Sequence, residues 1–253
     1  MRYGRRTHLD DDFLLQNMMG PNSVLLLEEL IQDIRLQPGA RVLDLGCGKG
    51  LTSVFLGTEF QAQIFATDLW VDASENFQRF REFGLEDCVI PIHAEAHNLP
   101  YARGYFDAVV SVDAWHYFGA DPKFLDEHIV PLVRPGGTIA VSVPGLKRDL
   151  VNDEVPEELK PWWQENMNFY SKEWWRELWE QSPNITVTKC FSQPGHEKAW
   201  SDWLRSPNPY AQLDAAMMKA EGGKYFDTIG IVAVVKWRTS WSAPPVRVAT
   251  ATF

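Results

Sequence analysis

The 253-residue sequence has little cysteine, no long apolar run and no concentration of basic residues. Its three cysteines, Cys47, Cys88 and Cys190, lie far apart and form no CxxC pattern, so neither a disulfide framework nor a zinc site is expected. No run approaches the roughly 18 apolar residues that cross a bilayer, and the N-terminus lacks the apolar segment of a secretory signal. We therefore expect a cytoplasmic protein with no membrane partner.

The charge balance is acidic. Lys and Arg number 24 against 34 Asp and Glu, which gives a formal net charge of −10. Proteins that grip nucleic acid need clustered Lys and Arg to neutralise phosphates, and no such cluster is present. Nucleic acid is therefore not an expected partner. Hydrophobic residues at 45% and charged residues at 23% are typical of a globular chain, and the length suits one domain with a cap.

Across residues 41–143, short apolar runs bounded by turn residues alternate with longer segments, which is typical of a parallel α/β sheet. The predicted strands are 41–45, 63–68, 89–93, 106–112 and 138–143, and the predicted helices between them are 51–60, 73–83 and 122–133. An earlier helix is predicted to start at Asn22-Ser23 and to end before Pro38-Gly39. Two later strands, 185–191 and 228–237, are expected to pair antiparallel at one edge of the sheet.

The strongest local pattern is RVLDLGCGKG at residues 41–50, a hydrophobic strand that ends in a glycine-rich turn and opens a helix. Glycines let the backbone approach a ligand, and the N–H groups at the helix start offer donors. Leu51 stands where the dinucleotide fingerprint needs glycine or alanine, which disfavours NAD and FAD. Gly50 follows Lys49, so the nucleotide phosphate loop is absent as well. We expect a different ligand at the carboxyl end of this strand.

This turn resembles the first motif of the class I S-adenosylmethionine-dependent methyltransferases, in particular the small-molecule branch with a ubiquinone-biosynthesis-like core. The resemblance covers residues 41–143. It implies S-adenosylmethionine as cofactor and S-adenosylhomocysteine as product. It also implies that Gly46 and Gly48 lie against the methionine part of the cofactor, that Asp44 organises the loop, and that Cys47 borders the cofactor without a redox role.

Two further motifs extend the resemblance. Asp68 ends the second strand and would accept hydrogen bonds from the ribose hydroxyls; the alternative is that it caps the next helix. Leu69 and Trp70 follow and would border the adenine. After the third strand, Glu95 would accept from the adenine amino group and the Ala96 N–H would reach a ring nitrogen, although this contact could be made by backbone alone.

The fourth motif, FDAVVSVDAWHYF, covers residues 106–118. The resemblance implies that Ser111 and Asp113 lie beneath the sulfonium and that Tyr117 faces the substrate. His116 is the catalytic candidate, because an imidazole that titrates near neutrality can remove a proton from a nucleophile; the alternative is that it only packs. A magnesium site would need more oxygen ligands than Asp113 provides, so no metal is expected.

Two segments are candidates for a lid over the cofactor. One is the Gly-Pro-containing segment 17–22 with Met19, for which an ordinary helix-joining turn is the alternative. The other is an aromatic-rich stretch, since seven of the 11 tryptophans fall within residues 146–213. Trp175 and Trp200 are the candidates there, whereas most of the other rings are expected to form the core of a cap.

We therefore predict an α/β, Rossmann-like fold with a seven-stranded mostly parallel sheet, helices on both faces, an antiparallel final strand and an aromatic-rich helical cap. The predicted parts are residues 1–145, an N-terminal helical lid and S-adenosylmethionine-binding core; 146–213, the cap; 214–237, a final helix and sheet-edge strand; and 238–253, a mobile tail. The predicted function is methyl transfer to a small-molecule acceptor. A catalytically silent cofactor-binding protein that acts through a partner, and a protein or RNA methyltransferase, stay open as alternatives.

Overall fold

The computed structural model describes residues 9–150, 154–164 and 166–237, so the predicted tail 238–253 lies outside the described residues. Seven strands form one sheet: β1 Arg41–Leu45, β2 Gln63–Asp68, β3 Val89–His93, β4 Phe106–Val112, β5 Val133–Leu146, β6 Ile185–Ser192 and β7 Phe226–Val235. The α-helices are α1 Asp11–Asn17, α2 Ser23–Leu30, α3 Leu51–Glu59, α4 Ala73–Glu82, α5 Lys172–Glu180, α6 His196–Trp203 and α7 Pro209–Glu221.

The strand order in the sheet is β3-β2-β1-β4-β5-β7-β6. The pairs among β1 to β5 are parallel, and β7 is antiparallel to both β5 and β6. This confirms the seven-stranded, mostly parallel sheet with an antiparallel final strand. One detail was wrong: β7 is not the edge strand, because it inserts between β5 and β6 and leaves β6 at the edge.

Apolar side chains cover both faces of the sheet. One buried cluster includes Leu43, Val109 and Ile139, and a second includes Val42, Ala108 and Ala140 from the same three strands. Successive side chains of a strand point to opposite faces, so neighbouring residues enter different cores. The strands therefore read as continuous apolar runs, as is typical of a parallel sheet covered on both sides.

Helix α2 begins where the sequence predicts, because the Asn22 side chain accepts a hydrogen bond from the Leu25 N–H at 3.1 Å. Two other expectations were wrong. The segment predicted as helix 122–133 holds only a π turn, Leu125–Ile129, followed by a 3₁₀ turn, Val130–Leu132. Pro131 has no N–H to continue a helical hydrogen-bond ladder. Helix α7 begins at Pro209, so the predicted division between residues 213 and 214 falls inside it.

Strand β5 is longer than predicted. It begins at Val133, which pairs with Phe106, and the pairing resumes only at Thr138 with Ala108. The residues between these two pairs form an irregularity in which Gly136 has a φ of +76°. The residues between the predicted helix 122–133 and the predicted strand 138–143 are therefore an irregular part of β5.

The aromatic-rich stretch divides into two parts. Trp175 and Trp179 of α5 are buried with Trp115 in the core on one face of the sheet. Helix α5 therefore packs against that face and does not cover the carboxyl ends of the strands. Trp200 and Trp203 of α6 are buried in a separate cluster with Met18 and Leu51, beside helix α7. This second cluster forms the core of the helical cap.

Candidate active site

A cavity of about 270 Å³ opens at the carboxyl ends of the parallel strands β1, β2 and β4. In open α/β sheets, ligands bind at this end, where neighbouring connections diverge to opposite faces. Eleven of the residues selected from the sequence line the cavity: Gly46, Cys47, Gly48, Asp68, Leu69, Trp70, Glu95, Ala96, Asp113, Met19 and Tyr117. Five do not: Asp44, Ser111, His116, Trp175 and Trp200.

The glycine turn forms the floor of the cavity. Gly46 and Gly48 have φ values of +72° and +53°, in the left-handed region that glycine tolerates. A Cβ atom on Gly46 would overlap the Ala114 side chain, and one on Gly48 would lie 3.0 Å from the Met19 sulfur. The turn therefore needs glycine for its conformation and for the close approach of its neighbours.

Asp44 lies behind this turn and not in the cavity. Its Oδ2 atom accepts hydrogen bonds from the Thr52 and Ser53 hydroxyls, both at 2.6 Å, whereas its Oδ1 atom is buried without a partner among the described residues. Burial raises the pKa of the Asp44 carboxyl to about 6. Asp44 thus ties the end of β1 to the first turn of α3, which is a positioning role for the loop.

Asp68 joins the glycine turn to the end of β2. Its Oδ2 atom accepts the Gly48 N–H at 2.8 Å, and its Oδ1 atom accepts the N–H groups of Trp70 and Val71 at 2.8 and 2.9 Å. The helix cap is a different residue, Asp72, whose side chain accepts from Ser74. The alternative that Asp68 caps helix α4 is therefore wrong. Two carboxylate oxygens offer about four acceptor positions, so a ligand hydroxyl can still be accommodated.

Glu95 and Ala96 lie in the loop after β3, on the wall of the cavity. The Glu95 Oε1 atom lies 2.5 Å from the Nδ1 atom of His97, and this hydrogen bond lowers the pKa of the Glu95 carboxyl. Sequence reasoning missed His97, although it stands within the motif that selected Glu95. It lines the cavity and packs edge-on against Phe124, with ring centroids 5.0 Å apart.

Asp113 follows β4 and adopts a φ of +60°, which is unusual for a residue with a side chain. Its carboxylate lies directly against Gly20, where a Cβ atom would overlap Oδ2. Burial, and secondarily the nearby charge of Asp214, raise the pKa of the Asp113 carboxyl to about 8. No local signal marks Asp214 as its neighbour, because it belongs to α7, far along the chain.

His116 lies outside the cavity. Its ring is 5% exposed and packs against Phe169 at a centroid distance of 5.7 Å, and its Nδ1 atom is buried without a partner among the described residues. Burial lowers the pKa of His116 to about 3, which makes the imidazole a weak base. The structure therefore favours the packing interpretation over the predicted catalytic one. The turn Trp115–Tyr117 directs Tyr117, not His116, toward the cavity.

Replacement of His116 by leucine is expected to reduce the loss of stability at acid pH. The pKa of His116 is lowered to about 3 in the folded chain, whereas an unfolded histidine titrates near 6.5. Between these values protons bind the unfolded chain only, so stability falls as the pH drops below about 6.5. Denaturant unfolding should show that the free energy of unfolding falls between pH 7.5 and pH 4.5 by about 2 kcal/mol less in His116→Leu than in the wild type. Equal falls would contradict the burial of this ring as a neutral group.

Ser111, Trp175 and Trp200 are also absent from the cavity. Ser111 and Trp175 are fully buried, in the sheet and in the sheet core respectively, and Trp200 is 7% exposed within the cap core. Trp70, by contrast, lines the cavity and is 66% exposed. The aromatic residues at the cavity therefore come from the turns after β2 and β4 and not from the tryptophan-rich stretch.

The segment 17–22 passes over the glycine turn and is held by the cap. The Asn208 side chain donates to the Met18 carbonyl at 3.1 Å, and the Asn22 side chain donates to Asp202 at 3.0 Å. Lys49 of the glycine turn donates to the Gln16 carbonyl at 3.2 Å. The segment is thus fastened at both ends and covers the cavity beside Met19. Its action as a lid stays a prediction.

The described residues contain neither a metal-binding cluster nor a membrane span. No group of three His, Cys, Asp or Glu side chains is arranged to hold a metal ion in the parts of the chain that the structure describes. Within the same residues, no helix combines the length and apolar character that a bilayer crossing requires.

A family model described as a methyltransferase domain matches residues 43–141, which run from within β1 to within β5 and include the glycine turn. The match covers 99 of the 253 residues, so the similarity to a methyltransferase domain concerns this stretch. It includes the end of β2 that carries Asp68 and the loop that carries Glu95, whereas Met19 and the rest of segment 17–22 lie outside it.

Known methyltransferases share the fold of this domain and, over part of the chain, its sequence. Methyltransferase GfsG of Streptomyces halstedii is 29% identical over 118 residues, which are 46% of this chain and 42% of that protein. Phosphoethanolamine N-methyltransferase 2 of Haemonchus contortus, solved with S-adenosyl-L-methionine, has a TM-score of 0.71 and 17% identity over 92% of this chain and 59% of its own. Geranyl diphosphate C-methyltransferase of Streptomyces coelicolor has a TM-score of 0.66 and 16% identity over 84% of this chain and 79% of its own.

These similarities differ in what they describe. The matched stretch spans less than half the length of GfsG, and the two structural similarities lie below 20% identity, so they concern the fold. The feature common to these comparisons is the methyltransferase fold, and they do not identify the acceptor of this chain.

Proposed function

We propose that this protein is an S-adenosylmethionine-dependent methyltransferase that acts on a small-molecule acceptor. The observation that carries the proposal is the junction of the glycine turn with Asp68 on one wall of a cavity inside the methyltransferase domain. Glycine permits a close backbone approach, and a carboxylate can accept hydrogen bonds from a cis-diol. Both features suit a nucleoside with a polar tail.

The residues present fit the proposed cofactor. Gly46 and Gly48 line the cavity without side chains, so a ligand can approach the backbone of the turn directly. Asp68 would hold the ribose, and the wall formed by Leu69, Glu95 and Ala96 would border the adenine. When bound, S-adenosylmethionine supplies a methyl group on positively charged sulfur, which is already activated for displacement.

The chain contributes orientation and exclusion of water. Segment 17–22 covers the cavity, and apolar side chains such as Met19, Leu51 and Phe118 line it. Displacement at a methyl carbon that is already activated depends mainly on alignment of the acceptor and on desolvation. The known proteins with this fold include an N- and a C-methyltransferase, so the fold itself is compatible with different acceptor atoms.

Calorimetric titration with S-adenosylhomocysteine tests the proposal, with NADH and ATP as comparison ligands. We expect saturable one-to-one binding of S-adenosylhomocysteine alone, weakened about 10- to 150-fold by Asp68→Ala, because a hydrogen bond to a charged group contributes about 1.5–3 kcal/mol. Asp72→Ala is the matched control: it removes a carboxylate four residues away that caps α4, and it should leave the affinity unchanged.

Two results would contradict the proposed function, and a third would contradict the role of Asp68. Binding of NADH in place of S-adenosylhomocysteine would assign the cavity to another cofactor, and binding of none would remove the assignment altogether. Equal affinity of the wild type and Asp68→Ala would remove Asp68 from the ribose site while leaving the cofactor in place.

A further inference from the structure

The charged groups that line the cavity are not equally compensated. Asp68 accepts three backbone N–H groups, Glu95 is paired with His97, and the Lys49 ammonium donates to a backbone carbonyl. Asp113 differs from all of them. Among the described residues, no side chain or backbone group donates a hydrogen bond to its carboxylate, although its own N–H donates to the Ser142 carbonyl at 2.9 Å.

The surroundings of Asp113 add negative charge and no positive charge. Asp214 of α7 lies near enough for its charge to raise the pKa of Asp113, and its own carboxylate accepts the Trp203 indole N–H at 2.8 Å. Burial, and secondarily the charges of Asp113 and Asp214, raise the pKa of the Tyr117 hydroxyl to about 12. On the remaining side, Gly20 lies against the carboxylate. A buried carboxyl that lies near a second carboxyl and accepts no hydrogen bond is stabilised in its charged form when a cation binds it.

Two aromatic rings stand at the same end of the cavity. Trp70 and Tyr117 line it and remain 66% and 51% exposed, with ring centroids 4.9 Å apart in an edge-to-face arrangement. Tyr117 belongs to the same turn after β4 as Asp113, and its contact with Trp70 favours a position of Trp70 beside the acceptor and not at the adenine, where the sequence predicted it. Aromatic faces bind apolar groups and attract cations, which complements the carboxylate.

We propose that Asp113 binds the acceptor through a cationic amine, and that Trp70 and Tyr117 hold an apolar group attached to this amine. This inference rests on the proposed function, because it names the acceptor class of the same cavity. An ammonium ion would give Asp113 its missing donor and would favour the charged form of this carboxyl, which burial and the nearby Asp214 disfavour in the ligand-free protein. An anionic acceptor would lie against the Asp113 carboxyl and would find no uncommitted cation among the described lining residues.

The test compares three probes of similar size in the protein saturated with S-adenosylhomocysteine: phenethylammonium, 2-phenylethanol and phenylacetate. Calorimetry is expected to show phenethylammonium binding at least about ten-fold tighter than the alcohol, as for a hydrogen bond to a charged group, and no binding of phenylacetate. Asp113→Asn should reduce the ammonium affinity to that of the alcohol. Asparagine keeps the size of the side chain and tolerates a positive φ, so the backbone is retained.

Asp33→Asn is the matched control, because it makes the same change at an exposed residue that is paired with Lys189, outside the cavity. It should keep the ten-fold preference. Equal binding of the three probes, or a preference that survives Asp113→Asn, would overturn the inference and leave the proposed function intact.

Two further titrations separate the inference from the alternatives. If the ratio of the S-adenosylmethionine and S-adenosylhomocysteine affinities changes in Asp113→Asn, the carboxylate serves the sulfonium and the acceptor role is overturned. If the wild type fails to bind S-adenosylhomocysteine, the proposed function fails, and the inference fails with it. An unchanged ratio, together with loss of the ammonium preference, supports both.

Discussion

Gly46→Ala is expected to lose most of its affinity for S-adenosylhomocysteine and to unfold at a lower temperature. Gly46 has a φ of +72°, where an L side chain is strained by about 1–2 kcal/mol, and the new Cβ atom would overlap Ala114. Overpacking adds about 1–3 kcal/mol. The overlap can be relieved only if the glycine turn or the turn after β4, which carries Asp113 and Ala114, moves. Either movement changes the shape of the cavity. Calorimetry should show that the affinity for S-adenosylhomocysteine is weakened about 30-fold or more. Thermal unfolding should show that the Tm is lowered by several degrees.

Gly39→Ala provides the matched control for backbone strain. Gly39 has a similar φ of +78°, but nothing lies within 4 Å of the position that its new Cβ atom would take, and the residue does not line the cavity. This variant should lose stability from strain alone and keep its affinity for S-adenosylhomocysteine. If the two variants lose the same stability and Gly46→Ala keeps its affinity, the close approach of the loop to Ala114 is not what shapes the cavity.

Asp113→Asn is expected to stabilise the ligand-free protein above pH 7. In the unfolded chain the Asp113 carboxyl ionises near pH 3.9, whereas in the folded chain its pKa is raised to about 8. Between these values the folded chain holds the proton and the unfolded chain does not, so this group lowers stability as the pH rises. Asparagine does not titrate. Its advantage over the wild type should grow by about 1.4 kcal/mol per pH unit from pH 4 to pH 8 and reach about 5 kcal/mol, or about 10–20 °C.

Asp72→Asn gives a comparison of the opposite sign. The Ser74 backbone N–H holds the pKa of the exposed Asp72 carboxyl below its usual range, so this carboxylate stabilises the fold above its unfolded pKa. Its replacement should therefore give no gain at pH 8. Denaturant unfolding from pH 4 to pH 8 checks both variants. A constant difference between Asp113→Asn and the wild type would show that Asp113 is not held as an uncompensated carboxyl.

The first four strands could be predicted from the sequence at their observed bounds, because each is an apolar run between clear turn residues. The bounds of β5 could not. The sequence predicted a strand that starts at residue 138, whereas Arg134 and Gly136 already belong to β5, at the irregularity opposite β4. The place of β7 is likewise set by pairing with two distant strands, which local patterns do not encode.

The candidate site divides in the same way. The glycine turn and Asp68 were identifiable because a strand end and its following turn are contiguous in sequence. The predictions for His116 and Ser111 were wrong because the direction of a side chain depends on the local backbone. Ser111 is fully buried in strand β4, and the His116 ring packs against Phe169. Asp214 and Gly20 meet Asp113 only through tertiary packing.

The insertion of β7 between β5 and β6 sets an order of events during biosynthesis. Strand β6 leaves the ribosome before β7, which is its hydrogen-bonded neighbour in the described sheet. Until β7 emerges, both β5 and β6 expose strand edges that can pair with other nascent chains. Completion of the sheet therefore waits for the synthesis of β7, and a ribosome stalled before residue 226 would present a chain for chaperones to shield.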